Sequence, residues 1–401
     1  MRNVFLLTLC QALGLTGAAL IAFAGGIVGQ QLAPDPIWAT LPVALVVVGV
    51  AAFSIPASLI MKRYGRRKGF LVGSGLAIFG AAAAAYAISI HQFVLFCLSM
   101  LFLGANNAFV QQFRYAAVES VSSKWTGRAV SIILAGGVIG GFLGPEIGER
   151  TWNLLSSADY VGSFAALVII YILLFLLQTA IRDTQIAETT VSGKERPLRD
   201  LLHQPVFLVA ILAGMTAYGV MSFLMTATPI SMHIIDGHSL DSTSLVIQSH
   251  IVAMYLPSFF TGLLLTRFGI SKVMGVGVVS MLACLAVAAA SHDVFNYWSS
   301  LVLLGLGWNF LFVGGTVLLT HSYRPAERFK AQAVNDFSVF SMQAFASLIA
   351  GAVITTTSWR IMAAINLPIL LLMSAATILL HRTLIQHPER LRADAVEVYS
   401  K

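Results

Sequence analysis

Apolar residues in this chain fall into long runs rather than alternating with polar ones, and the runs are too long for buried strands. A membrane-spanning helix needs ~20 mostly apolar residues. Twelve runs meet that length: 4–30, 39–60, 69–89, 92–116, 129–148, 161–181, 206–228, 247–266, 270–290, 297–320, 332–356 and 361–381. Short polar or Gly/Pro breaks separate them. The longest polar stretch, Arg182 to His203, divides the chain near its middle. The pattern predicts an all-α integral membrane protein with twelve transmembrane helices in two six-helix bundles, 1–181 and 206–381, with a linker at 182–205 and a tail at 382–401. The first run is too long for a signal-peptide core, and no small-residue cleavage site follows it, so it reads as a span.

Composition narrows the class. Hydrophobic residues make up 58% and charged residues 10%, and mean hydropathy is +0.84. A soluble domain carries about 25% charged residues. A soluble enzyme, a nucleic-acid binder and a disordered chain are excluded on this ground. The partners implied are the lipid bilayer and a small-molecule substrate, with no nucleic acid. The net charge of +7 then reflects basic cytoplasmic loops. With the N-terminus inside, 22 of the 24 Lys and Arg residues fall on the inner side and only Arg150 and Arg360 outside. Both termini are therefore expected in the cytoplasm. Cys10, Cys97 and Cys284 all lie within apolar runs, with no spacing for a disulfide frame or a metal site.

The two halves repeat each other. Arg63-Tyr64-Gly65 after the second run matches Arg267-Phe268-Gly269 after the eighth, 204 residues on. Lys124-Trp125 and Ala129-Val130 match Arg328-Phe329 and Ala333-Val334 at the same spacing. Gly104-x-Asn106 matches Gly307-x-Asn309 one residue closer. Two parallel six-helix repeats suit alternating access, in which bundles rock about a midplane site.

These residues resemble the major facilitator superfamily of transporters over essentially the whole chain. Ser58-Leu-Ile-Met-Lys62-Arg63-Tyr64-Gly65-Arg66-Arg67 is similar to the superfamily's G-x-x-x-D-R-x-G-R-R loop, with Ser58 and Lys62 in place of its Gly and Asp. Gly262 to Gly269 resembles a second copy that keeps the Gly and has Thr266 for the Asp. Gly140-x-x-x-Gly144-Pro145-x-x-Gly148 resembles the fifth-span stretch of drug/proton antiporters, with Glu149 for the last Gly. Pro56-Ala-Ser-Leu, Arg114-Tyr-Ala-Ala, Gly305-Leu-Gly-Trp-Asn and Asn335-Asp-Phe resemble a bacterial subgroup that includes riboflavin transporters. The resemblance implies a secondary active or facilitative transporter of a small organic solute, working by alternating access in the bacterial inner membrane. Import of a flavin-like metabolite is the leading expectation. Proton-coupled drug or metabolite efflux is the alternative. No cofactor is implied, and a monomer is expected.

Polar groups within a bilayer mark solute pathways by default. Asn107, Gln111 and Arg114 recur at i, i+4 and i+7 along one face of the fourth span, and Asn106 borders that face. Trp308 and Asn309 sit near the middle of the tenth span, where an indole could stack on a flat ring and an amide supply a donor and an acceptor. Gln11 in the first span and Tyr218 in the seventh complete the substrate-binding candidates. The resemblance implies that these four spans line the cavity. Each side chain could instead serve interhelical packing, where a hydrogen bond is often worth under ~1 kcal/mol.

The gating candidates are the loop residues Lys62, Arg63, Gly65, Arg66, Arg67, Arg267 and Gly269, together with Asp336. The superfamily's loop acid normally sits against the start of the eleventh span. Lys62 replaces it here, and Asp336 supplies an acid early in the eleventh span. A swapped pair of Asp336 with Lys62 or Arg63 is the expectation. Gly140, Gly144 and Gly148 share a helix face that permits close approach, beside Pro145, which can bend the helix. Their expected neighbour is the eighth span.

No acid lies at mid-membrane in the first, fourth, seventh or tenth span, which weakens the case for proton coupling. A membrane-embedded enzyme would need an acidic metal cluster or a His/Asp pair, and the loops carry neither. A sensor built on a transporter scaffold would carry a larger soluble segment. No G-x-x-x-x-G-K-[ST] loop is present for ATP-driven transport.

Overall fold

A computed structural model describes residues 2–35, 38, 41–155, 158–182 and 195–386. Residues 183–194 of the expected linker and 387–401 of the expected tail lie outside the described residues. The described residues are helical, with no strand among them. The main helices are α1 (Arg2–Leu32), α2 (Leu41–Tyr64), α3 (Arg66–Ser89), α4 (Phe93–Val110), α5 (Phe113–Glu119), α6 (Thr126–Thr151), α7 (Val161–Thr179), α8 (Leu198–Leu202), α9 (Pro205–Pro229), α10 (Leu240–Tyr255), α11 (Ser258–Phe268), α12 (Ile270–Ala290), α13 (Val294–Thr320), α14 (Arg328–Thr356), α15 (Trp359–Ile365) and α16 (Leu367–Gln386).

Among the described residues, eleven helices are long and apolar enough to cross a membrane, and the bent pair α10–α11, taken as one span, makes twelve. The bend is 41° and lies at Pro257, whose ring removes a backbone donor and breaks the ladder. The fourth span is also interrupted. Between α4 and α5, the Gln112 amide donates to the Phe109 carbonyl at 3.0 Å and the Tyr115 amide to the Gln112 carbonyl at 3.2 Å. These are i→i−3 bonds, so one tightened turn separates the two halves.

The chain forms two compact units, Met1–Ser123 with Ile132–Ile186, and Lys124–Ser131 with Ala187–Lys401. In the first, α4 packs on α1, α2 and α3, and α7 packs on α1 and α3. In the second, α13 packs on α9, α10 and α12, and α14 on α9. The repeat recurs in the backbone. Gly65 links α2 to α3 at φ 89° and ψ 162°, and Gly269 links α11 to α12 at φ 87° and ψ 156°. Side chains rarely tolerate that conformation, so glycine holds both corners.

Within the first unit, the glycine row of the fifth span packs on α1. A Cβ at Gly140 would stand 2.5 Å from the Ala12 carbonyl, and one at Gly144 would stand 2.6 Å from the Thr16 carbonyl and the Leu20 nitrogen. Gly136 adds a turn, 2.6 Å from the Thr8 carbonyl, and Gly148 faces the Phe23 ring. The row is thus a backbone-to-backbone seam within the first unit, with Pro145 inside it. Within the second unit, the eighth span brings Gly262 to the first turn of α6. A Cβ there would lie 2.7 Å from the Arg128 Cα and the Gly127 carbonyl.

Candidate functional site

In the first unit the polar candidates gather on α1, α4 and α5. A Cβ at Gly14 would stand 2.7 Å from Val110, so α1 crosses the fourth span just above its break. Gln11 lies one turn from Gly14 along α1 and is buried. Asn106 is 1% exposed, and neither atom of its amide has a hydrogen-bond partner. The Asn107 Oδ1 is likewise buried without one. Gln111 caps α4 and is also buried. The Arg114 guanidinium is buried in α5, donates to the Tyr115 hydroxyl at 2.9 Å and lies 4.6 Å from the centre of that ring. Buried amides almost always find partners. Two adjacent asparagines with idle polar atoms beside a helix break form the part of this unit best suited to a solute's polar edge.

In the second unit the candidates are aromatic. Tyr218 of α9 meets three rings edge-on, Trp308 at 5.3 Å, Phe312 at 5.0 Å and Phe340 at 5.3 Å between centroids. Trp308 stacks on Phe312 at 5.0 Å and takes Tyr255 of α10 edge-on at 5.6 Å. The Trp308 Nε1 is buried with no hydrogen-bond partner. This cluster joins α9, α10, α13 and α14 through ring edges, the geometry such pairs favour. The sequence reading named Tyr218 and Trp308 but missed Tyr255, Phe312 and Phe340. Spacing of four on one helix face marks Phe312 as a neighbour of Trp308; no local signal marks the other two.

Asn309 differs from its neighbour. Its Nδ2 donates to the Met254 carbonyl at 2.7 Å and to the Ser258 Oγ at 2.6 Å. Its Oδ1 accepts from the Thr261 Oγ1 at 2.6 Å. The side chain is wholly buried and bonded to both sides of the Pro257 bend.

The loop candidates divide into buried and exposed groups. Arg66 is buried and donates to both oxygens of Glu119, at 3.1 and 2.6 Å, and to the Gln112 Oε1 at 2.8 Å. The Gln112 Nε2 in turn donates to the Ser58 Oγ at 3.2 Å. Arg66 therefore ties the start of α3 to the end of α5, and the helix break supplies one of its partners. Neither Gln112 nor Glu119 was singled out from sequence. Lys62 and Arg63 are exposed, and Arg67 is half-buried. Arg63 lies over the Tyr64 ring at 5.3 Å and Arg267 over Phe268 at 5.4 Å, so the repeat extends to these side chains. Asp336 is buried in α14 and accepts from the Asn335 amide at 3.0 Å.

Immediately before α14, Glu327 is fully buried and binds a residue of the linker. It accepts from the Arg196 Nε at 2.7 Å, the Arg196 Nη2 at 2.7 Å and the Arg196 backbone N–H at 2.9 Å. Lys330 donates to the Arg196 carbonyl and lies 3.6 Å from Glu195. No group of three or more His, Cys, Asp or Glu side chains among the described residues could hold a metal ion.

The family model of the Major Facilitator Superfamily matches residues 4–246 and 227–397. The riboflavin transporter RfnT of Brucella anthropi is 37% identical over 383 residues, 94% of this chain and 95% of that one. The uncharacterized MFS-type transporter YddS of Bacillus subtilis is 31% identical, covering 84% of this chain and 82% of its own. Among solved structures, a bacterial homologue of the iron transporter ferroportin in the outward-facing state superposes with a TM-score of 0.74 at 13% identity, covering 94% of this chain and 99% of that one. The proton:xylose symporter XylE superposes at 0.75 with 15% identity, covering 93% and 95%.

Proposed function

From the premise that this chain belongs to the Major Facilitator Superfamily, and so is a membrane transporter, we propose that its solute is riboflavin or a closely related flavin, taken up across the bacterial inner membrane. The observation that carries this reading is the 37% identity to RfnT over 94% of the chain. The site chemistry supports it. A flavin presents a broad flat ring and a polar edge that alternates acceptors and a donor. The ring cluster of Tyr218, Tyr255, Trp308 and Phe312 offers aromatic edges and faces to the first. Within the first unit taken by itself, the Asn106 amide and the Asn107 Oδ1 are groups of the kind a flavin's polar edge pairs with. Gln11, Gln111 and Arg114 extend the polar face. The chain works as a monomer with both termini in the cytoplasm, the orientation that leaves 22 of 24 basic residues inside.

The efflux reading rested on the glycine row of the fifth span. That row packs on α1, which does not bear on the direction of transport, and efflux stands as the second reading.

The test is uptake of labelled riboflavin by a host that lacks its own flavin uptake. Expression of the chain should restore saturable uptake, and Trp308→Ala and Asn106→Leu should each abolish most of it while the protein remains in the membrane. Uptake no greater than that of the empty host refutes the solute.

A further inference from the structure

Asn309 stands one residue from Trp308, yet its chemistry is spent elsewhere. On one side of the Pro257 bend the backbone ladder runs to the Leu256 amide, which donates to the Val252 carbonyl at 2.8 Å. It resumes where the Phe259 amide donates to the Leu256 carbonyl at 3.3 Å, and the Phe260 and Thr261 amides to the Pro257 carbonyl at 2.8 and 2.9 Å. Between these points, Ala253 faces a proline with no N–H to give. One residue on, the Met254 carbonyl, beside that gap, takes the Asn309 amide. An unpaired backbone carbonyl is costly in a bilayer, so a side chain from α13 supplies the bend with a donor across the gap in its own ladder.

The approach that lets Asn309 reach is also built in. Gly305 lies one turn before it on the same helix face. A Cβ at Gly305 would stand 2.8 Å from the Ala253 Cβ and the His250 carbonyl. The backbones of α10 and α13 therefore touch immediately before the bend. Asn309 then bonds Met254, Ser258 and Thr261, the residues flanking Pro257. The neighbours of the bonded pair are Trp308 and Tyr255, which meet edge-on at 5.6 Å.

We infer that Asn309 is a positioning residue: it holds the Pro257 bend of the eighth span and thereby sets Tyr255 against Trp308 in the aromatic wall. It acts through Tyr255 and does not touch the solute. The assignment of that wall to flavin binding rests on the function proposed above; the brace itself does not.

The test couples Asn309 to Pro257. In Pro257→Ala the restored N–H can serve the Ala253 carbonyl, the helix can straighten, and the brace loses its purpose. Riboflavin transport in proteoliposomes should show Asn309→Leu raising KM about tenfold, the size expected for a lost buried hydrogen bond, with kcat changed less than about twofold. In the Pro257→Ala background the same substitution should change KM by less than about threefold. A residue that bonds the solute directly would lose the same factor in both backgrounds, and that result overturns the inference.

A second measurement needs no solute. Of the six tryptophans, five are replaced by Phe to leave Trp308 alone. Asn309→Leu should then shift its emission and near-ultraviolet circular dichroism, and the shift should shrink when Pro257→Ala is added. An unchanged Trp308 signal overturns the brace. If Asn309→Leu does not fold, Asn309→Asp keeps the acceptor for the Thr261 hydroxyl, loses the donor to Met254 and Ser258, whose own hydroxyl can turn to donate, and serves the same comparison. Should the wild-type chain carry no riboflavin, the solute assignment falls while the Trp308 spectra still decide the brace.

Discussion

Replacing Gly144 by alanine tests whether the seam between α1 and α6 is as tight as its geometry states. The new Cβ would stand 2.6 Å from three atoms, the Ala19 Cβ, the Leu20 nitrogen and the Thr16 carbonyl, whereas ordinary contact begins near 3.4 Å. Two of the three are backbone, so no rotamer change relieves them. The helices must part by about 0.8 Å, the difference between those two separations. Parting loosens the contacts at Gly136 and Gly140 along the same seam. Overpacking of this kind costs ~1–3 kcal/mol, against the ~1 kcal/mol that alanine gains over glycine in a helix. Gly75 in α3 is the control, because nothing lies within 4 Å of its Cβ position and only the gain remains. Cys10 of α1 is buried, so with Cys97 and Cys284 replaced by Ser its reaction with a thiol-specific dye reports opening of the packing around α1 on heating in detergent. Gly144→Ala should react several degrees below wild type, at roughly 2–4 °C per kcal/mol or less for a chain this long. Gly75→Ala should react at or above the wild-type temperature. If the two variants open at the same temperature, the close approach does not constrain the seam.

Removing one partner of the buried Arg66–Glu119 pair strands the other charge, so Glu119→Gln should cost ~3–5 kcal/mol, read by the same thermal assay. Arg66→Met with Glu119→Leu should recover most of that loss; a double variant no better than the single would refute the argument. Glu327→Gln weakens the charged contacts to Arg196, and trypsin should then cut after Arg199, three residues on and beyond the resistant Arg196-Pro197 bond, at least about tenfold faster, a lost charged hydrogen bond being worth ~1.5–3 kcal/mol. Unchanged cleavage would show that Glu327 does not hold that segment. Asn106→Leu exchanges an idle amide for an apolar group of similar size, a change that is neutral or stabilising in a folded core. Its melting temperature should be unchanged or higher while riboflavin uptake falls; uptake at the wild-type level would remove Asn106 from the solute site.

The legible features of this sequence were those carried by local pattern. Run lengths gave the spans, and the eighth was bent only because Pro257 sits inside its run. The Arg-aromatic-Gly repeat recurs as two corners of nearly identical backbone geometry, since a positive φ leaves glycine as the residue of choice. What the pattern does not carry is the identity of a neighbour. Spacing of four showed that Gly140, Gly144 and Gly148 share a face, but any of several helices could lie against it, and α1 does. The same limit governs Trp308 and Asn309. Adjacent residues point about 100° apart on a helix, so one enters the ring cluster and the other faces the Pro257 bend. Tyr255 and Phe340 join the cluster from helices distant in sequence, and tertiary packing alone brings them in.

The two glycine corners also have a mechanical meaning. Only Gly65 separates α2 from α3, and only Gly269 separates α11 from α12. A joint of one residue has no slack, so each pair of helices behaves as a stiff V rather than as two rods on a string. The first corner carries Lys62, Arg63, Arg66, Arg67 and Lys68, charges that resist entry into hydrocarbon. Its vertex is therefore moored at the membrane face. A helix in either V cannot slide along its axis without dragging its companion, and tilting about the moored vertex is the motion left to both.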